Sequence, residues 1–100
     1  MKSQKKLLIL PGDGVGPEVC NEATKVIDSL SNLSFELDID IDLIGGASID
    51  KFKTPLSSKV LDKARNADSI LLGAVGGKKW DSLSPSERPE KGLLELRSKL

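Results

Sequence analysis

The chain has no histidine and no tyrosine, and only one cysteine. Cys20 therefore has no partner for an internal disulfide, which suits a reducing compartment. An excess of one charge sign is also missing: Lys plus Arg and Asp plus Glu stand at 15 each. That balance leaves no electrostatic case for nucleic acid or an anionic membrane as a partner. Long apolar runs are absent. The basic start MKSQKK leads into a run of only four apolar residues, Leu7 to Leu10. A secretory signal needs a longer one, and nothing approaches a membrane span. The expectation is a soluble, cytoplasmic protein. Asn32-Leu33-Ser34 matches a glycosylation acceptor, but without a secretory signal the match reads as chance. One hundred residues are enough for one small domain with a modest core.

What is present is alternation of strand and helix patterns. Leu7-Leu8-Ile9-Leu10, ended by Pro-Gly, reads as a strand buried on both faces. Pro17 suits a first helical position and Glu18 the positive end of a helix dipole. Val19, Cys20, Ala23, Val26, Ile27 and Leu30 recur at helical spacing, and Ser31-Asn32 punctuates the end. Phe35 to Leu43 alternates apolar and acidic, which predicts a strand with one buried face. Gly45-Gly46 ends it and is read as structural. Thr54-Pro55 looks like a cap and first helical residue ahead of Val60, Leu61 and Ala64. Ser69 to Ala74 reads as a second strand covered on both faces, followed by Gly76-Gly77, a polar loop, and a helix from about Pro89. The order β-α-β-α-β-α argues for an α/β fold with a largely parallel sheet. No internal repeat, low-complexity tract or linker stands out.

Several motifs invite chemistry. Pro11-Gly12-Asp13-Gly14-Val15-Gly16-Pro17 lies between strand and helix, where a nucleotide-binding turn belongs. Its third glycine comes one residue early for the dinucleotide fingerprint, so a standard Rossmann turn is rejected. No Gly-Lys-Ser/Thr follows, so it is not a P-loop either. A plain tight turn remains open, with Asp13 as a turn residue. The acidic row Glu36, Asp38, Asp40 and Asp42 shares one strand face and so raises a metal site. Like charges repel there and no other ligand type is near, so a solvated or edge face is the better reading. Gly76-Gly77-Lys78-Lys79-Trp80-Asp81 offers backbone N–H groups, two lysines for an anionic ligand and an indole to shield one face of it. On the residues alone, a plain exposed loop stands equally open. On the last helix Glu90, Leu93, Leu94 and Arg97 fall at i, i+3, i+4 and i+7, hence on one face. One acid, two leucines and one arginine suit a small amphipathic molecule, with Arg97 gripping a carboxylate by its planar fork. A simply solvated face stands beside that reading. Leu93, Leu96 and Leu100 form an adjacent apolar stripe expected to pack on the sheet.

Taken together, LPGDGVGPEV and ADSILLGAVGGKKWDSLSPSERPEKGLLELR resemble the 3-isopropylmalate dehydrogenases of leucine biosynthesis, within the isocitrate/isopropylmalate dehydrogenase family. The resemblance runs from Leu7 to Leu100. It implies the first part of the isopropylmalate dehydrogenase-like fold, not a classical Rossmann fold. Residues 1–100 would be the N-terminal segment of the cofactor and substrate domain. The implied cofactors are NAD and Mg²⁺ or Mn²⁺, and the full-length enzyme is implied to be a homodimer. By the resemblance, Val15 touches the NAD. The segment along its nicotinamide side is Gly77, Lys78, Lys79, Trp80, Asp81, Ser82, Leu83, Ser84, Pro85, Ser86, Glu87, Arg88, Pro89 and Glu90. Leu93 and Leu94 meet the isopropyl group of the substrate, Glu90 lies between substrate and nicotinamide, and Arg97 holds a substrate carboxylate. The family usually has Pro where this chain has Lys78, which adds charge and loosens the loop. The implied reaction oxidises the 3-isopropylmalate hydroxyl by hydride transfer to NAD, after which CO₂ leaves. The catalytic Lys and Tyr and the metal-binding Asp residues of the family come from later sequence, so no catalytic residue and no metal ligand is assigned here. The family continues well beyond Arg97, and the chain alone is expected to be inactive. Two alternatives stay open: a related isocitrate, homoisocitrate or tartrate dehydrogenase, or a non-catalytic nucleotide-binding fragment.

Overall fold

The computed structural model describes residues 3–29, 35–84 and 87–100. The apolar run from Leu7 forms the middle of β1 (Ser3–Gly12), which lies at the centre of a three-stranded sheet. β2 (Phe35–Ile41) and β3 (Ser69–Ala74) flank it in the order β2-β1-β3, and both pair with it in parallel. Leu8 stands opposite Asp40 on one side and Ile70 on the other. With a strand on each side and helices above and below, Leu7, Leu8, Ile9 and Leu10 are all buried. That is the pattern expected of a central parallel strand.

Alternate residues of β1 serve two cores. Leu7 and Ile9 join Cys20 of α1 (Gly16–Ser29), with Ile27, Leu37, Ile39 and Leu71 packed around them. Leu8 and Leu10 join Ile44, Leu56, Leu96 and the Val60 and Ala64 of α3 (Ser58–Asn66). The first crossover goes from β1 to β2 and the second returns past β1 to β3. Two crossovers of one hand running in opposite directions put their helices on opposite faces. The expected α/β architecture with a largely parallel sheet is therefore present, and the sheet is open. Among the described residues no helix is long and apolar enough to cross a membrane.

Several expectations need correction. An additional helix, α2 (Gly46–Phe52), follows β2 where only a glycine terminator was expected. Thr54-Pro55 starts no helix; the cap is Ser57, whose hydroxyl accepts the Val60 N–H at 3.3 Å. Ser48 Oγ instead donates to the Thr54 carbonyl at 2.6 Å, so Thr54 and Pro55 belong to the turn that closes α2. β2 ends at Ile41, although Asp42 N–H still bonds the Ile9 carbonyl. Val19 and Val26 are exposed, so α1 buries a narrower stripe than its apolar spacing suggested. β3 touches both cores but lies at an edge, which leaves its apolar residues half-buried rather than covered. Leu30, Ser31-Asn32 and the Asn32-Leu33-Ser34 tripeptide lie outside the described residues.

Candidate functional site

All three strands point the same way, so the turns after Gly12, Ile41 and Ala74 gather at one end of the sheet. The chain leaves β1 for β2 on one side and reaches β3 on the other. The carboxyl ends of β1 and β3 thus form a topological switch point, the usual place for a ligand crevice in an open α/β sheet.

Asp13 ties these turns together. Its N–H bonds the Ala74 carbonyl at 2.6 Å, and its carbonyl accepts Gly16 N–H at 2.9 Å. Its buried carboxylate accepts three backbone N–H groups: Gly46 at 2.7 Å and Gly76 at 2.9 Å on Oδ2, and Ala47 at 2.8 Å on Oδ1. Sequence reasoning had it only as a turn residue, because its partners lie 33 to 63 positions away. Gly76 adopts φ +101°, a conformation L side chains rarely take. A Cβ there would overlap the carboxylate of Glu90, so the helix residue and the glycine turn are in direct apposition. Val15, two residues past Asp13, is 63% exposed at the entrance to α1.

The loop after Gly77 is braced against α2. A 3-10 turn spans Lys78–Trp80, closed by Trp80 N–H to the Gly77 carbonyl at 3.1 Å. The Trp80 indole lies on Gly46, where a Cβ would overlap the ring, and its Nε1 donates to Asp50 at 3.3 Å. Lys79 Nζ donates to the same carboxylate at 2.7 Å and lies 5.5 Å from the Trp80 ring centroid. The hydrogen bond from Lys79 holds the Asp50 carboxyl below its ordinary value, outweighing partial desolvation, with Trp80 and the Lys79 charge adding to it. Two expectations change in consequence. Lys79 is committed to Asp50, and the indole covers Gly46 instead of standing free over a ligand. Lys78 remains exposed. Further on, Arg88 Nε donates to the Leu83 carbonyl at 2.9 Å and its Nη2 to that of Asp81 at 3.0 Å, drawing the loop back on itself. Asp81, Ser82 and Ser84 are exposed, Leu83 is half-buried, and Glu87 is exposed. Pro85 and Ser86 lie outside the described residues.

α4 (Pro89–Lys99) begins at the expected proline. Its inward stripe is Pro89, Gly92 and Leu96, all buried; Gly92 lets the helix approach the Pro55 carbonyl closely. Leu100 is exposed, so the expected apolar stripe holds at Leu96, in part at half-buried Leu93, and not at Leu100. One position around the helix, Glu90, Leu94 and Arg97 face outward with Leu93 at their border. Leu94 is 60% exposed, a large apolar side chain that the described residues leave mostly uncovered. A separate cleft of about 440 Å³ at the ends of β1 and β2 is lined by Pro11, Pro17, Ile41, Leu43, Ala47 and Lys51, none a sequence-predicted site residue.

The acidic row on β2 also has structure. Asp38 and Asp40 face α3, and Lys63 of α3 reaches Asp40 at 3.0 Å and Asp42 at 2.8 Å. Part of the row is thus an ion-paired seam on an edge strand. No group of three or more His, Cys, Asp or Glu side chains able to hold a metal ion occurs among the described residues.

Comparison with known proteins places this geometry. Residues 6–100 match the profile of the isocitrate/isopropylmalate dehydrogenases. The chain is 54% identical over 98 residues to the 3-isopropylmalate dehydrogenase of Pseudomonas syringae pv. tomato, covering 96% of this chain and 27% of that protein. It is 54% identical over 99 residues to the enzyme of the same name from Xanthomonas oryzae pv. oryzae, with the same coverage. The fold matches the apo crystal structure of a β-decarboxylating dehydrogenase from Thermococcus kodakarensis with a TM-score of 0.76 at 25% identity, over 96% of this chain and 26% of that one. An isocitrate dehydrogenase from Methylococcus capsulatus matches with a TM-score of 0.59 at 32% identity, over 78% and 23%. The chain spans about a quarter of the length of the relatives it matches.

Proposed function

The chain belongs to the isocitrate/isopropylmalate dehydrogenase family, and on that premise we propose that it supplies the N-terminal quarter of a NAD-dependent 3-isopropylmalate dehydrogenase. The observation that carries the reading is the outward face of α4 beside the glycine turn of β3. Glu90 rests on Gly76, Leu94 is mostly uncovered, and Arg97 is free to turn toward a ligand on the same face. Arg97 pairs with a carboxylate of the substrate through its planar fork. Leu93 and Leu94 take the isopropyl group, and Glu90 stands between substrate and nicotinamide. The carboxyl ends of β1 and β3, with exposed Val15 after one and the Gly76–Gly77 turn after the other, are where a dinucleotide would lie, with the segment from Gly77 to Glu90 read as facing it. NAD, when bound, accepts the hydride from the substrate hydroxyl.

The divalent cation finds no ligand set among the described residues, so no step is assigned through it. The acid, base and metal carboxylates are expected from the remainder of the enzyme, which we take to act as a cytoplasmic homodimer in leucine biosynthesis. Isocitrate, homoisocitrate and tartrate would need polar groups where Leu93 and Leu94 stand. The test is NADH formation by the full-length protein with Mg²⁺ or Mn²⁺ on each of these substrates. A kcat/KM for 3-isopropylmalate well above the others is expected; equal or greater use of isocitrate or tartrate overturns the reading.

A further inference from the structure

Asp13 is 5% exposed, and among the described residues no lysine or arginine forms an ion pair with it. A buried carboxylate is costly unless well hydrogen-bonded, and here three backbone N–H groups meet it. Capping α2 alone would not require a charge, since a neutral side chain can accept from a helix N-terminus. A carboxylate has a different capacity: both oxygens accept and neither donates, so it can meet three N–H groups from two chain segments at once. Oδ1 and Oδ2 take the first turn of α2, and Oδ2 also takes Gly76 at the exit of β3. Gly76 is thereby gripped through its N–H on one side while Glu90 abuts its Cα on the other.

We propose that Asp13 is a positioning residue, holding the Gly76–Gly77 turn, and through it Glu90, at the place where the dinucleotide docks. The inference rests on the reading of Gly77 to Glu90 as cofactor-facing. It is tested in the full-length protein with Asp13→Ala, which removes the acceptor of all three N–H groups, whereas an asparagine oxygen could still take Gly46 and Gly76. NAD affinity, titrated without substrate, is expected to weaken tenfold or more, with KM for NAD rising in step. The kcat at saturating NAD is expected to fall less than threefold. Ile39→Ala, in the other core around Cys20, serves as a destabilised control whose NAD affinity stays unchanged. If Asp13→Ala does not fold, Asp13→Asn sets an amide donor against one of the three N–H groups and so loosens the clamp in part. It is expected to weaken NAD at least threefold. NAD affinity within twofold of the parent in the folded variant overturns the inference, as does an equal loss in Ile39→Ala. A parent that uses neither NAD nor 3-isopropylmalate is a different result and overturns the functional reading itself.

Discussion

At the residue scale, Arg97 and Leu94 carry the sharpest test, because neither is needed by the fold. Both are exposed on α4, one position around from its buried stripe. Arg97→Lys keeps the charge and loses the fork, so in the full-length enzyme kcat/KM for 3-isopropylmalate is expected to fall by about 1–3 kcal/mol. The unfolding midpoint should stay where it was. Leu94→Ser removes an apolar contact worth about 1–3 kcal/mol and should shift preference toward a malate with a shorter or polar side chain. Steady-state kinetics on the substrate pair measures it, and unchanged selectivity in both variants would reduce this face to solvated helix. The face was legible in the sequence because its spacing is local. Asp13 was not, because a carboxylate's partners are set by tertiary structure, and Lys79 looked free for the same reason.

At the element scale, α2 was missed where its neighbours were not. Gly45-Gly46 is a breaker pattern, and no side chain of the flanking segment caps the helix; the cap arrives from Asp13. Trp80 then needs Gly46 to be glycine, which hides a packing contact behind a turn signal. α3 has a similar long-range tie in Lys63, which joins it to β2. Burial alone would raise the Asp42 carboxyl, but the hydrogen bonds from Lys63 and Leu43 N–H and the lysine charges bring it below its ordinary 3.8. The Asp42 hydrogen bond, then that of Asp40, raises Lys63 above 10.5. A lowered acid stabilises the fold above its unfolded value and loses that contribution as pH falls through the folded one. A raised amine stabilises below its unfolded value and loses it as pH rises through the folded one. Lys63→Met should therefore lower the urea midpoint by a constant amount from about pH 5 to 9. The gap should narrow below 3.8 and above 10.5. A gap that stays the same below 3.8 and above 10.5 would mean that Lys63 acts through its aliphatic stem alone.

At the scale of the whole molecule, strand order decides what pattern can reveal. Periodicity identified all three strands and the parallel sheet, because apolar runs and alternation follow from burial in each strand separately. It could not rank them: Leu7 to Leu10 and Ser69 to Ala74 read alike, yet β1 is central and β3 is an edge. The consequence is a sheet with two open edges. β3 leaves Ile70, Leu71 and Leu72 only partly buried, while Ile41 at the end of β2 is 60% exposed. The radius of gyration, 14.4 Å, exceeds the roughly 13 Å of a compact chain of this length. Unpaired N–H and C=O groups beside partly covered apolar strands invite pairing with another chain. The isolated 100-residue chain is therefore expected to unfold in urea with low cooperativity, or with a midpoint that moves with protein concentration. It should also produce no NADH from 3-isopropylmalate, since no acid, base or metal carboxylate of the reaction is assigned to it. The two measurements bear on different claims. Turnover above blank would show that the catalytic groups lie within these residues. A sharp, concentration-independent transition of a monomer would show that β1 and its two cores suffice without partners at either edge.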